Sequence, residues 1–257
     1  MTGMIDLINN YDELDINNEV VNFNILYRNR PINDNHGGMK APHMFWVYFI
    51  LKKINPAIVI ESGIFKGQST WLIEQVCPNS KLISIDPGLF KREFISDRAD
   101  YRTKDFLEHN WLEELGIEGC KNTLAFIDDH QDNYLRLKHA HLNKISHIIF
   151  EDNYPTTHGD ILSLKKILSD NYHIIDVDGV KTTHLIPDSY KEDVLQMCNY
   201  VECPPIYLDT KVTRWNDSFE SHGCKPPIFN EYKESLHYFK EEQLDYTFIG
   251  YVKVKNV

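Results

Sequence analysis

The sequence is short of several things, and each shortage removes a class of protein. Basic residues are outnumbered, 27 Lys and Arg against 38 Asp and Glu, for a formal net charge of -11. The basic face that a phosphate backbone demands is missing, so no nucleic-acid partner is expected. Cysteine is scarce and unpaired in pattern: Cys77, Cys120, Cys198, Cys203 and Cys224 are odd in number and show no CxxC spacing. Neither a disulfide framework nor a structural zinc site is indicated. The longest apolar run, Met44–Leu51, falls far below the roughly 20 residues of a membrane span. Nothing near Met1 resembles a secretion leader, and the expectation is a soluble, cytoplasmic protein with reduced thiols. Internal repeats and low-complexity tracts are absent, and so is GxGxxG, the fingerprint of dinucleotide binding.

What is present is concentrated between Pro56 and Phe90. Ala57–Ile60 is a short β-branched run of the kind that fills a buried parallel strand, and it stops at Glu61-Ser62-Gly63. Gly63 and Gly67 suit a turn that needs backbone freedom or close approach by a ligand, and Ser69 and Thr70 suit the start of a helix. Leu72, Ile73 and Val76 give that helix its apolar side, and Leu82–Ile85 is a second buried strand that delivers Asp86 at its carboxyl end. In open α/β sheets ligands sit at the carboxyl ends of the strands, and an acid at the end of the second strand binds ribose hydroxyls. The unit reads as a nucleoside-cofactor site.

The pattern repeats along the chain. Tyr101–Thr103, Leu124–Ile127 and Ile145–Phe150 read as further strands, with helices over Met44–Leu51, Trp111–Leu115, Tyr134–Leu142, Asp160–Leu168 and Tyr232–Phe239. Val201–Leu208, carrying Pro204 and Pro205, reads as an edge strand, and Tyr246–Val254 as a late strand. The fold class expected is α/β: a Rossmann-like, doubly wound, mostly parallel seven-stranded sheet with a late antiparallel strand, in a single domain over residues 1–257. Residues 1–35 read as an irregular or helical N-terminal arm suited to packing on a second copy of the chain in a homo-oligomer. The loop before the first long helix is placed to reach over the cofactor. Residues 209–228, long, polar and aromatic, read as a substrate lid.

Two acidic strand ends carry the chemistry: Asp128-Asp129-His130 after the fourth strand and Glu151-Asp152-Asn153 after the fifth. Neighbouring parallel strands bring such ends together, and oxygen ligands of this kind suit Mg²⁺ or Mn²⁺. A cation there would lower the pKa of a substrate hydroxyl. The sequence does not choose between Asp128 and Asp129 as the functional acid. His130 is a candidate general base and equally a hydrogen-bond partner of a neighbouring carboxylate.

The order of acid, glycine, glycine and acid at strand ends, Glu61, Gly63, Gly67 and Asp86, resembles motif I and the acidic loop of class I S-adenosylmethionine (AdoMet) methyltransferases. The resemblance implies that Glu61, Ser62, Gly63, Gly67 and Ser69 form the AdoMet turn and that Asp86 binds the ribose. It also implies that Asp105-Phe106, after the third strand, meets the adenine. Asp128 with Asp152-Asn153 resembles the metal triad of catechol-type O-methyltransferases. Glu151-Asp152 resembles the same position in cephalosporin-hydroxylase-like and macrolide-sugar O-methyltransferases, which makes Glu151 a rival ligand to Asn153. Family members with a DxDH pattern have one residue more than is found here. The likeness covers residues 36–170 well and the remainder poorly.

The function expected is AdoMet-dependent O-methyl transfer, metal-assisted, with Asp128 and His130 at the reacting hydroxyl. In the lid, Lys211, Arg214 and Trp215 suit a polar acceptor: the cations for phosphates, the ring for a sugar face. The resemblance points to a nucleotide-activated hexose or heptose of a capsule polysaccharide. The alternatives are a non-sugar small-molecule O-methyltransferase and a nucleotide-sugar or dinucleotide oxidoreductase on the same fold. A third, a non-catalytic AdoMet-binding regulator, leaves the strand-end acids without a role.

Overall fold

Apolar residues that alternate sides along each strand sort themselves onto two faces of one sheet. In the computed structural model, which describes residues 3–246 and 248–256, Val59, Leu124, Phe126 and Ile149 enter one core. Ile60, Ala125, Ile127, Ile148 and Phe150 enter the other. Both faces are covered by helices, as buried parallel strands require.

The chain begins with α1 (Met4–Asn9), α2 (Glu13–Tyr27) and α3 (Ala41–Ile54), then alternates β1 (Ile58–Ser62), α4 (Gln68–Val76), β2 (Lys81–Ile85) and β3 (Ala99–Arg102). It continues through α5 (Trp111–Lys121), β4 (Thr123–Ile127), α6 (Asn133–Leu142), β5 (His147–Phe150) and α7 (Leu164–Ser169). A separate hairpin, β6 (Tyr172–Val177) and β7 (Val180–Leu185), precedes α8 (Asp188–Met197), β8 (Cys198–Glu202), α9 (His237–Glu241) and β9 (Gly250–Val254). The main sheet has seven strands in the order β3-β2-β1-β4-β5-β9-β8. Strands β1 to β5 are parallel, and β9 runs antiparallel between β5 and β8. The expected fold class is therefore the observed one.

Several boundaries differ from expectation for identifiable reasons. The segment read as an arm is helical, and α2 buries Val20, Phe23 and Tyr27 inside its own chain, with Phe23 edge-on to Phe45 of α3. The edge strand ends at Glu202, before Pro204-Pro205, and starts earlier at Cys198, because the prolines cannot donate to the ladder. Gly116, at φ +68°, breaks α5 as expected, but the helix resumes and runs to Lys121. The helix expected from Asp160 starts only at Leu164, where Ser163 caps it by accepting from Lys166 N–H. No helix among the described residues is long and apolar enough to cross a membrane. All five cysteines are free.

Candidate active site

Strand β1 pairs with β2 on one side and β4 on the other, so the strand order reverses there and a crevice opens at the carboxyl ends, the place where α/β sheets bind ligands. Gly63 is the residue that lets the two halves meet. At φ +93°, an added Cβ would stand 1.8 Å from the Asp128 carbonyl oxygen. Gly67, at φ +95°, caps the start of α4, and an added Cβ there would stand 2.5 Å from the Phe94 carbonyl oxygen.

The turn is braced from beneath. Glu61, fully buried, accepts on Oε2 from Thr70 Oγ1 at 2.7 Å and Ser84 Oγ at 2.6 Å, while its Oε1 has no hydrogen-bond partner among the described residues. Burial holds its pKa above the usual carboxylate range, and Ser69, buried beside it, works the other way. At the end of β2, Asp86 Oδ2 accepts from Ile64 and Phe65 N–H at 2.9 and 3.1 Å, and Oδ1 accepts from Gly88 N–H. The loop before α3 does reach this turn: Lys66 Nζ donates to Asp34 O, and Gly37 lies against the Phe65 ring.

The second cluster gathers after β4 and β5. Ligand atoms of Asp128, His130 and Asp152 lie within 4.8 Å of one another. Asp152 Oδ2 accepts from His130 N–H at 3.2 Å, and its buried Oδ1 has no hydrogen-bond partner among the described residues. His130 is at φ +52°, and its Nδ1 lies 3.2 Å from Asp160. Geometry separates the two acids that the sequence left open. Asp129 is spent on Ser62 Oγ at 2.6 Å and on Arg136, whereas Asp128 faces the cluster. Crowding of like charge sets the protonation. Asp128 is pushed well above the carboxylate range by burial and by Glu151, Asp152, Asp129 and Glu61. Burial and Glu151 raise Asp152 to about 8, against the pull of His130. Glu151 keeps its charge: burial works to raise its pKa, and paired His43 overrides that. The hydrogen bond to Asp160 and the charge of Asp152 raise His130 to about 9, against burial. These neighbours favour the protonated form of His130.

Three other expectations are corrected. Asn153 cannot serve as a metal ligand, because its amide donates to Tyr200 Oη at 2.6 Å and Phe248 O at 2.7 Å and accepts from Lys165 N–H at 3.0 Å. Asn153→Ala is expected to cost about 2–3 kcal/mol of stability by leaving buried groups unpaired. Urea melts check this, and a variant as stable as the parent would return Asn153 to the ligand set. Phe106 is fully buried against Trp111 and offers no adenine face; Asp105 is held by the Arg136 guanidinium at 2.5 and 2.6 Å. Glu151, the rival ligand, is paired with His43.

Of the lid residues, Arg214 and Trp215 line a cavity of about 260 Å³ shared with His130, Tyr154, Asp160, Asp176 and Asp178. Lys211 faces a different cavity, with Leu208, Lys225 and Pro226. Trp215 already has partners: it stacks on His158 with ring centroids 4.4 Å apart and meets Tyr154 and His222 edge-on. Sequence reading missed Tyr154, His43 and Arg136. Tyr154 stood in view at the end of β5, but the pairing of His43 and Arg136 with acids far along the chain left no local signal. It also missed the β6–β7 hairpin that supplies Asp176 and Asp178.

No protein-family model matches the chain, and no curated protein matches it. Among solved structures it is similar to CmcI with SAH, at 16% identity over 45% of this chain and 62% of that one, TM-score 0.36. It is also similar to an O-methyltransferase from Bacillus cereus in complex with SAH, at 13% identity over 94% and 91%, TM-score 0.44. A third is TomG, an O-methyltransferase from Streptomyces achromogenes involved in tomaymycin synthesis, with SAM, at 10% identity over 95% and 89%, TM-score 0.48. The chain spans 53–62% of the CmcI chains it matches. These are distant likenesses, and the reading of the site rests on its own residues.

Proposed function

We propose that this chain is an AdoMet-dependent O-methyltransferase, acting in the cytoplasm through one catalytic domain over residues 1–257, with a sugar hydroxyl as acceptor. The observation that carries the reading is the juxtaposition at the switch point. The Gly63 turn after β1 and Asp128 after β4 lie on adjacent strands, about 4.8 Å apart and in contact at Gly63, with Asp86 of β2 and Asp152 of β5 on the strands flanking that pair. Support also comes from β9, the late antiparallel strand that the resemblance implies.

Residues present fit both groups. The orphaned Glu61 Oε1 and the carboxylate of Asp86 flank the turn where AdoMet would lie, and when bound it supplies an electrophilic methyl group. The orphaned Asp152 Oδ1 and the crowded negative charge fit a hard divalent cation. Asp128 and Asp152 would hold Mg²⁺ or Mn²⁺, which supplies Lewis acidity toward the acceptor oxygen. The chain's own residues do the rest. Asp128, which faces the cluster, would take the hydroxyl proton in its ionised form when no cation holds it. The His130 imidazolium stabilises the negative charge that develops on the oxygen. Arg214 and the free surface of Trp215 orient the acceptor, and the lid excludes water.

The cavity's lining refines the acceptor. Asp160, Asp176 and Asp178 outnumber Arg214, so a neutral polyol fits inside, and the phosphates of a nucleotide sugar would lie outside. The test is mass spectrometry for the gain of one methyl group on free sugars, nucleotide sugars and catechols. Methylation confined to catechols rejects the sugar reading, and no methylation together with no AdoMet binding rejects the whole. For the cofactor, Asp86→Ala is expected to weaken AdoMet binding by about 1.5–3 kcal/mol, the worth of hydrogen bonds to a charged group. Calorimetry showing unchanged affinity would remove the ribose role.

A further inference from the structure

A second cluster of ligating side chains lies outside the methyl-transfer site. His158, on the loop after β5, meets Asp217 and His222 of the lid, with one ligand atom of each within 4.8 Å of the others. His158 Nε2 stands 2.8 Å from Asp217 Oδ2, and His222 Nε2 stands 2.9 Å from Asp217 Oδ1. One carboxylate therefore faces two imidazole nitrogens at once. The His158 contact is a hydrogen bond. His222 Nε2 is buried, on a side chain only 6% exposed, and turns to the other oxygen of the same carboxylate.

We propose that His158, Asp217 and His222 form a zinc site that fastens the lid to the loop after β5. Two imidazoles and a carboxylate match the nitrogen and oxygen ligands that Zn²⁺ prefers. With bonds of about 2.0–2.1 Å, tetrahedral ligands stand about 3.3 Å apart, so each imidazole would draw back from its 2.8 or 2.9 Å carboxylate contact by about half an ångström. A fourth position is open, because Asp217 and His222 also line a cavity of about 530 Å³ with Thr156, Thr157 and Lys165. The surroundings fix the first ligand: Trp215 stacks flat on the His158 ring at 6° and meets His222 edge-on. Thr213 Oγ1 donates to Asp217 Oδ1, the outer hydrogen bond that orients a ligating carboxylate. Trp215 also walls the acceptor cavity, so the metal sets the shape of that wall.

The experiment uses the full chain, stripped with a chelator and given Zn²⁺ alone, with metal content read by elemental analysis and affinity by calorimetry. Co²⁺ serves as the spectroscopic probe. At this site one zinc per chain is expected, counted in Asp152→Asn so that the Asp128 cluster does not contribute, and Co²⁺ should give visible bands of a low-coordinate site that zinc abolishes. His158→Gln and His222→Gln should each weaken zinc binding by more than the roughly 100-fold upper range for losing an outer-shell partner. Asp152→Asn should leave it unchanged. If one histidine variant fails to fold by circular dichroism, the other and Asp217→Asn carry the test. The proposal is overturned by a parent protein that retains no zinc above a control. It is equally overturned by zinc that survives in the folded histidine variants or that is lost in Asp152→Asn. None of these readouts uses methyl transfer, so their failure is distinct from failure of that function.

Discussion

Replacing Gly63 by alanine is expected to remove about 2–5 kcal/mol of stability, a large share of a total of the order of 5–15 kcal/mol. Two costs add. An L-residue at φ +93° occupies a region that only glycine visits freely, worth roughly 1–2 kcal/mol. The new methyl would also stand 1.8 Å from the Asp128 carbonyl oxygen, so β1 and β4 would have to part, at the roughly 1–3 kcal/mol or more of overpacking. Urea unfolding followed by circular dichroism gives the answer, with Gly116→Ala as a control. That position shares a positive φ but has nothing within 4 Å of an added Cβ, so it isolates the strain from the collision. Equal losses in the two variants would show that the contact with Asp128 is unimportant.

Asp152→Asn is expected to separate stability from activity. The amide keeps an acceptor for His130 N–H while removing a carboxylate whose burial and proximity to Glu151 raise it to about 8. Relief of that crowding should raise the melting temperature. Methyl transfer should fall by about 10²- to 10⁴-fold, the range that positioned ionisable groups supply, and addition of Mg²⁺ or Mn²⁺ should no longer restore it after chelation. The paired measurement is a thermal melt and a time course of methyl gain. Activity within a few-fold of the parent would take Asp152 out of the reaction, and a lowered melting temperature would show the carboxylate to be structural.

What could be read in the sequence was whatever has a local cause. Buried parallel strands announce themselves through β-branched runs, and β1, β2, β4 and β5 were found within a few residues. Acids that end such strands are placed by the strands themselves, so Asp86, Asp128 and Asp152 came out where expected. The hairpin of β6 and β7 was invisible because β7 is exposed along its whole length, and its Lys181-Thr182-Thr183-His184 carries no apolar alternation. Helix α2 was left open between helical and irregular because Val20, Phe23 and Tyr27, though helically spaced, are diluted by asparagines. Asn153 and Phe106 were misread for another reason. Tyr200 and Phe248, which occupy Asn153, come from far along the chain, and Phe106 is sealed by Trp111 and packs edge-on to His139. No local pattern reports a partner that distance brings.

The place of β9 in the sheet has a consequence for biosynthesis. His147 pairs with Lys253 and Phe150 with Gly250, while β8, translated much earlier, reaches the sheet only through β9. As the ribosome extrudes the chain in order, β1 to β5 can assemble, but the outer edge of β5 stays bare and β8 has nowhere to dock. Both wait for Gly250–Val254 to emerge. A bare edge of this kind is a template for pairing with other chains. Holding it unsatisfied until the last strand is made exposes each nascent molecule to misassembly on a crowded polysome, and a chaperone that shields β5 during that interval would raise the yield of folded protein.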